Sequence, residues 1–478
     1  MGPCQKALLL ICLLLVLGMT IFDNEPETHK DDNSQAVKPR RVQRCNKSHP
    51  CESGCCSRSG VCGVGPDYCG IENCVDCREK EPPRCSRAEI SERFAGYYEL
   101  WNGIRPCNKF MPDKIPYATY THVNVAFVTI NPVTFELNPI FWHHAMEIEQ
   151  LTRRKKYDPD LRVSVTISGL SANDWGVHDS TVFSRLAASE EYQAVFLRSL
   201  TSFMSTYDID GVEVNWEHPD GQSDDYENFP RLIKNIKAAL KMTGGRYGLS
   251  MTLPTSLSAL HNYNLRKLNR QVDYFNLLPI DLHTQLSPGD TWHADTLGPV
   301  VNLTTVTVAI HLLWRNYIHP NDVNLVLTLY GASLLPQSLD CLAPGCPAVS
   351  GAPGGPSSKK TGMLMNSEIQ DMINPELHEL MYGRLHHKHE WGHLETKFDP
   401  EAGAQIGMNG ERWIAYDDKE SLKHKLEFAR SSCFGGITAW AITHDTWDAD
   451  YSKVLDCVLQ GYGRWKSLQL FYCDEIAI

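Results

Sequence analysis

The 478-residue sequence has no surplus of basic residues: 45 Lys and Arg face 57 Asp and Glu, a formal net charge of -12 at pH 7. With no basic surface to offset phosphate repulsion, nucleic acid is excluded as a partner. No Gly-rich nucleotide-binding loop and no nucleophile elbow is present, and no cofactor or metal is expected. An apolar run of membrane-spanning length is missing as well. The stretch Ala7–Phe22, preceded by a single Lys, is too short for a comfortable span and reads as the h-region of a secretory signal occupying residues 1–22. Its cleavage site is not a clean small-x-small pattern, which leaves an uncleaved signal anchor as the alternative. The expectation is a secreted, extracellular monomer with no stable membrane association.

What is present begins with cysteine. Of 17 Cys, Cys4 and Cys12 fall in the leader, and eight of the remainder crowd between Cys45 and Cys77. So short a segment cannot bury enough apolar surface by itself, and in a secreted context such density means a disulfide framework. Zinc is the competing account, but adjacent Cys55-Cys56 and the lack of paired C-x-x-C ligands speak against it. Residues 23–44 are polar and charged, a disordered linker; the run Lys38-Pro-Arg40-Arg41 within it fits either a processing site or a solvated tether. Two sequons, Asn46-Lys-Ser48 and Asn302-Leu-Thr304, agree with secretion. The spacing Cys45, Cys51, Cys55-Cys56, Cys62, Cys69, Cys74, Cys77 resembles a hevein-type chitin-binding module over residues 45–77. Such modules stack pyranose faces on aromatic rings, with a serine and a tyrosine assisting. Ser57 and Tyr68 match those two places. Ser59 and Val61 stand where aromatics usually form the platform, and the lost contact area implies weak or narrow binding.

From about residue 93 the composition is that of an ordinary globular domain, 42% hydrophobic and 21% charged overall. Eight short apolar runs follow in series: Phe94–Tyr98, His122–Thr129, Arg162–Ile167, Gly211–Trp216, Gly248–Leu253, Tyr274–Pro279, Val323–Leu329 and Gly436–Trp440. The gaps hold helix-like segments such as Tyr192–Tyr207, Tyr226–Lys241, Thr304–Trp314 and Ser421–Ser431. Strand–helix repetition of this kind predicts an α/β (β/α)8 barrel over residues 93–457. Functional residues then belong at the C-terminal ends of the strands. Roughly a hundred residues separate the seventh and eighth runs, more than a crossover needs. An inserted α+β subdomain over about 335–412 is expected there. The Gly351–Ser358 stretch within it reads as a mobile loop, and Cys341 and Cys346 are close enough to bridge each other. The tail, residues 458–478, carries no assignment.

One stretch concentrates the chemistry: Asp210-Gly-Val-Glu213-Val-Asn215-Trp-Glu217. Successive strand side chains alternate between faces, so Glu213, Asn215 and Glu217 project to one side and Val212, Val214 and Trp216 to the other. Three polar groups on one buried face are costly without a purpose. The stretch resembles the D-x-x-D-x-D-x-E signature of glycoside hydrolase family 18, the chitinases, with Asp210, Glu213, Asn215 and Glu217 in its four places. The resemblance spans about residues 93–457. It implies chitin or chitooligosaccharides as the substrate, a neutral polymer indifferent to the net charge. It also implies a substrate-assisted retaining mechanism, in which the sugar's acetamido oxygen is the nucleophile and Glu217 the proton donor. Glu213 adds a like charge that helps Glu217 hold its proton.

The same resemblance marks departures and matches. Asn215 stands where an aspartate usually binds the acetamide N–H and balances the oxazolinium charge; an amide accepts that hydrogen bond but brings no charge. Losing it costs about 2–4 kcal/mol at the transition state, by analogy with single-donor losses in oxyanion holes. In Asn276-Leu-Leu-Pro-Ile280-Asp281, Asp281 is kept as a substrate-binding residue while Ile280 replaces a tyrosine. Tyr330-Gly-Ala332 lacks the usual arginine, and Ile167-Ser-Gly-Leu170 departs from S-x-G-G-W. Tyr97, Phe127 and Trp440 match as substrate-binding aromatics, with Trp440 expected as the cleft floor. His389-Glu-Trp-Gly-His393 matches the H-E-x-x-H pattern, but with Gly392 inside and His386 and His387 before it, the match is read as coincidence. Two functions follow: a chitinase with weakened hydrolysis, or a chitin-oligosaccharide-binding lectin on the same fold.

Overall fold

The computed structural model describes residues 44–46, 48–49, 51, 55–63, 75, 93–105, 109–138, 142–168, 181–216, 219, 224–245, 247–279, 296–374 and 394–460. The leader, most of the linker, the tail beyond 460 and the His389–His393 pattern lie outside the described residues.

The cysteine-rich segment forms two short antiparallel strands, β1 (Cys55–Cys56) and β2 (Cys62–Gly63). Disulfides Cys45–Cys56 and Cys51–Cys62 interleave across them. Cys45, Cys51 and Cys56 are themselves the buried core, with Cys62 and Val75 packed against it. Sulfur thus does here what apolar side chains do in a larger domain.

All eight apolar runs of the main domain are strands: β3 (Arg93–Glu99), β4 (His122–Ile130), β6 (Arg162–Ser168), β7 (Gly211–Asn215), β8 (Gly248–Pro254), β9 (Tyr274–Leu278), β10 (Val323–Thr328) and β17 (Gly436–Trp440). A short strand, β5 (Leu137–Asn138), pairs antiparallel with the end of β4 and was not expected from the sequence. The eight pair in parallel and close on themselves, the first against the second and the eighth against the first. The protein is a (β/α)8 barrel.

Crossover helices cover the outside. They include α1 (Trp142–Arg153), α2 (Val182–Ala188), α3 (Glu190–Tyr207), α4 (Asp225–Met242) and α5 (Leu303–Arg315). Local chemistry sets their starts. Ser189 caps α3 by accepting the N–H of Tyr192, with Glu190 and Glu191 in the first turn, and Asp208 ends it in the left-handed region. Asn302, the sequon residue, caps α5 by accepting the N–H of Thr304 at 2.9 Å.

Between β10 and β17 lies a second, antiparallel sheet: β11 (Tyr330–Pro336), β12 (Ala348–Gly351), β13 (Met363–Met365), β14 (Glu395–Asp399), β15 (Ala404–Asn409) and β16 (Arg412–Tyr416). Helix α6 (Asn366–Ile373) accompanies it. The sheet starts at Tyr330, almost directly after β10, because no turn signal separates the two extended runs. Cys341 and Cys346 are bridged. The Gly351–Ser358 stretch, expected to be mobile, is anchored. Glu368 accepts the N–H groups of Ser357 at 2.7 Å, Ser358 at 3.0 Å and Met365 at 2.9 Å. The chain then returns through α7 (Lys419–Ser431), with Asp418 and Ser421 capping each other, and ends in α8 (Asp450–Gln460). Among the described residues, no helix is long and apolar enough to cross a membrane.

Candidate active site

Parallel strands buried on both faces usually read as unbroken apolar runs. These alternate instead. Val123, Val125, Val163, Val165, Val212, Val214, Leu249 and Met251 join the core beneath the helices. Trp216 continues the outward face of β7, 5.2 Å from Phe183 of α2 and 4.6 Å from Phe229 of α4. The residues between them (Asn124, Ser164, Thr166, Glu213, Asn215, Ser250 and Thr252) are buried yet polar. They line the inside of the barrel.

Glu213 is the centre of that lining and is fully buried. Its carboxylate accepts from Thr166 Oγ1 at 2.9 Å, from Asn124 Nδ2 at 3.5 Å, from Asn276 Nδ2 and from the Tyr97 hydroxyl. Asn276 in turn accepts from Thr438 Oγ1 at 2.7 Å and Asn324 Nδ2 at 3.0 Å. Tyr97 on β3, Glu213 on β7 and Asn276 on β9 are not neighbouring strands, so these bonds cross the barrel's interior. Burial pushes the Glu213 carboxyl up, opposed by the donors Asn276, Tyr97 and Thr166. Burial and the adjacent Glu213 raise the Tyr97 phenol well above its ordinary value, so it keeps its proton and donates.

Asn215 is the next residue on the same inner face, one step toward the C-terminal end of β7, and it too is buried. Its Oδ1 accepts the Thr252 hydroxyl at 2.6 Å. Thr252 did not stand out in the sequence, though the Ser-x-Thr alternation of β8 signals an inward polar face. Asp210 is not brought to this group. It precedes β7 at the opposite end of the strand, ion-paired to Lys155 at 3.1 Å and accepting the N–H of Val163 at 2.8 Å. At 3.3 Å per residue it lies roughly 16 Å along the chain from Asn215.

Three of the expected aromatics do come together. Trp440, at the end of β17, lies 4.5 Å from Tyr97 and 5.7 Å from Phe127, ring centre to ring centre. Trp101, four residues after Tyr97 and not singled out in the sequence, lies 5.8 Å from Phe127. Tyr330, Met363 and Met365 of the inserted sheet complete the cluster. Trp440 is only 4% exposed and Phe127 only 2%, both packed within this cluster. Glu217, Ile280, Asp281, Leu170 and Tyr68 lie outside the described residues. Ser57 is described: its hydroxyl bonds the Val61 carbonyl at 2.9 Å and the Ser59 hydroxyl at 2.7 Å, and it is buried. The Cys45, Cys51 and Cys62 sulfurs lie within 4.8 Å of one another, but all three are consumed by disulfides.

Comparison with known proteins agrees with this architecture. The family model described as glycosyl hydrolases family 18 matches residues 93–445. An endochitinase of Brugia malayi is 23% identical over 363 residues, covering 73% of this chain and 68% of the relative. A chitinase-like mite allergen of Dermatophagoides pteronyssinus is 20% identical over 361 residues, covering 75% and 72%. Among solved structures, the group IV chitinase of Ostrinia furnacalis in complex with allosamidin superposes with a TM-score of 0.66 at 21% identity, over 77% of this chain and 98% of that one. Identity that low speaks to the fold alone.

Proposed function

We propose that this chain, which belongs to glycosyl hydrolases family 18, is a secreted chitinase-like hydrolase of β-1,4-linked N-acetylglucosamine with weakened turnover. The observation that carries the reading is the cross-barrel network ending in Glu213 and Tyr97, with Asn215 next above it toward the C-terminal rim. In (β/α)8 barrels that rim is where catalytic groups collect, and Glu217 follows Asn215 by two residues in the sequence.

Glu217 protonates the leaving glycosidic oxygen. The substrate's acetamido oxygen forms a bond to the anomeric carbon as the glycosidic bond breaks, giving an oxazolinium ion. Water, deprotonated by Glu217, then opens that ring and restores the acid. Glu213 keeps its position through neutral donors, and its negative charge favours the protonated form of a neighbouring acid. Trp440, Tyr97 and Phe127 offer apolar ring surface, and Asp281 contributes a polar contact to the sugar.

Asn215 is the reason for weak turnover, since it carries no charge to balance the oxazolinium. Its carbonyl oxygen is already engaged by Thr252, which favours the second reading, a lectin that holds chitooligosaccharides without cutting them. Similar proteins include one named an endochitinase and one named chitinase-like. In the N-terminal module, the inward commitment of the Ser57 hydroxyl supports weak chitin binding. Release of fluorophore from a fluorogenic chitotriose, measured beside Glu217→Gln, tests the assignment. The enzyme reading expects a rate clearly above that blank; equality with it leaves the lectin.

A further inference from the structure

A buried charged cluster sits where the first and eighth barrel strands end. Glu99, the last residue of β3, receives three groups on one carboxylate oxygen: the Arg105 guanidinium, the Thr443 hydroxyl at 2.8 Å and His444 Nε2 at 2.9 Å. Arg105 also donates to the Thr443 carbonyl at 2.7 Å and to Asn102 Oδ1 at 3.2 Å. Glu99, Arg105, Thr443 and His444 are all at most 7% exposed. None belongs to the Glu213 network or to the acid–base chemistry.

Thr443 and His444 lie three and four residues beyond Trp440, in the short 3-10 turn Ile442–His444. The His444 N–H bonds the Ala441 carbonyl at 2.9 Å, so the turn is tied directly to the residue after Trp440. On β3, Tyr97 and Glu99 share the inward face two residues apart. Tyr97 therefore meets the Trp440 ring while Glu99 holds the turn that follows it. His444 packs edge-on against Tyr330 at 5.6 Å, and Tyr330 belongs to the Trp440 cluster. The neighbours of Trp440, Tyr97, Ala441 and Tyr330, thus adjoin one ionic group.

Fold stability alone does not account for this group. Buried ion pairs are often no better than apolar packing of the same volume. This one also leaves His444 Nδ1 buried without a hydrogen-bond partner, a local cost that a purely stabilising cluster has no reason to carry. Its place on the C-terminal rim, against the aromatic cluster, gives it another use.

We propose that Glu99, Arg105 and His444 are positioning residues that fix the Trp440 ring as the platform for an N-acetylglucosamine unit. The inference rests on the carbohydrate reading above and adds residues that no part of that reading uses.

The test is a double-mutant cycle on the full chain, with affinity for tetra-N-acetylchitotetraose read by calorimetry. Trp440→Phe and His444→Gln are each expected to weaken binding about tenfold, and the double variant no more than the worse single, because both act through one ring. Thr443→Val, which removes a single hydroxyl, is the milder companion should His444→Gln fail to fold, and the same non-additivity is expected of it. Losses that multiply, or a clamp variant that binds like wild type, overturn the clamp while leaving the carbohydrate reading intact. Wild-type protein that does not bind the tetramer overturns the carbohydrate reading, and the clamp with it.

Discussion

An aspartate at position 215 differs from Asn215 by a charge and by little in shape. The Thr252 hydroxyl that meets Asn215 Oδ1 at 2.6 Å serves a carboxylate equally well, so the pocket accepts the exchange without rebuilding. Asn215→Asp is therefore expected to raise cleavage of fluorogenic chitotriose about a hundredfold, from roughly 2–4 kcal/mol of restored transition-state stabilisation. An unchanged rate would remove Asn215 as the cause of weak turnover. Glu213 and Asn215 stood out in the sequence because alternating polar residues are costly to bury, the plain alternative being a hydrogen-bonded patch inside the sheet. Thr252 and Asn276 did not, since their meaning depends on which strands face each other across the barrel. Asp210 belonged to the same motif, yet the motif runs the whole length of a strand, and its two ends serve different faces of the molecule. Lys155 claims the lower one.

At the scale of elements, all eight barrel strands could be read from short apolar runs and their spacing, one to the residue and the rest to within one residue at either end. Their inward Asn, Ser and Thr add a period-2 alternation that reading by apolar runs did not draw on. What escaped was β5, two residues long, and the state of the Gly351–Ser358 loop. Glycine, proline and serine in a row suggest freedom, but Glu368 lies further along the chain and its three accepted N–H groups remove that freedom. The clearance is tight: a Cβ on Gly355 would stand 2.2 Å from Glu368 Oε1. Gly355→Ala is thus expected to destabilise the protein by about 1–3 kcal/mol in urea and to expose the loop to limited proteolysis. Wild-type resistance to protease in that variant would show the anchor to be dispensable.

For the molecule as a whole, the Glu99 cluster makes acid a condition that matters. Burial alone would raise the Glu99 carboxyl, but His444 and Arg105 beside it bring it down to about 2 from 4.5. A depressed carboxylate contributes stability that is present above the unfolded value near 4.5 and is lost as pH falls toward 2. The contribution is roughly 3 kcal/mol. Urea midpoints measured from pH 6 down to 2.5 should fall across that window in the wild type. In Glu99→Gln they should start lower, because Arg105 loses its partner, and lack that share of the slope; an unaltered slope would place the acid sensitivity elsewhere. The seam that Glu99 guards has a temporal side too. Thr443 and Glu99 are 344 positions apart, and β3 finds its partner β17 only at the far end of the domain. At about 5–20 residues per second, synthesis spends roughly 17–70 s between them. Throughout that interval the nascent chain carries a strand whose second edge has nothing to bind, and whatever attends the nascent chain must shield that edge until the last β-strand emerges.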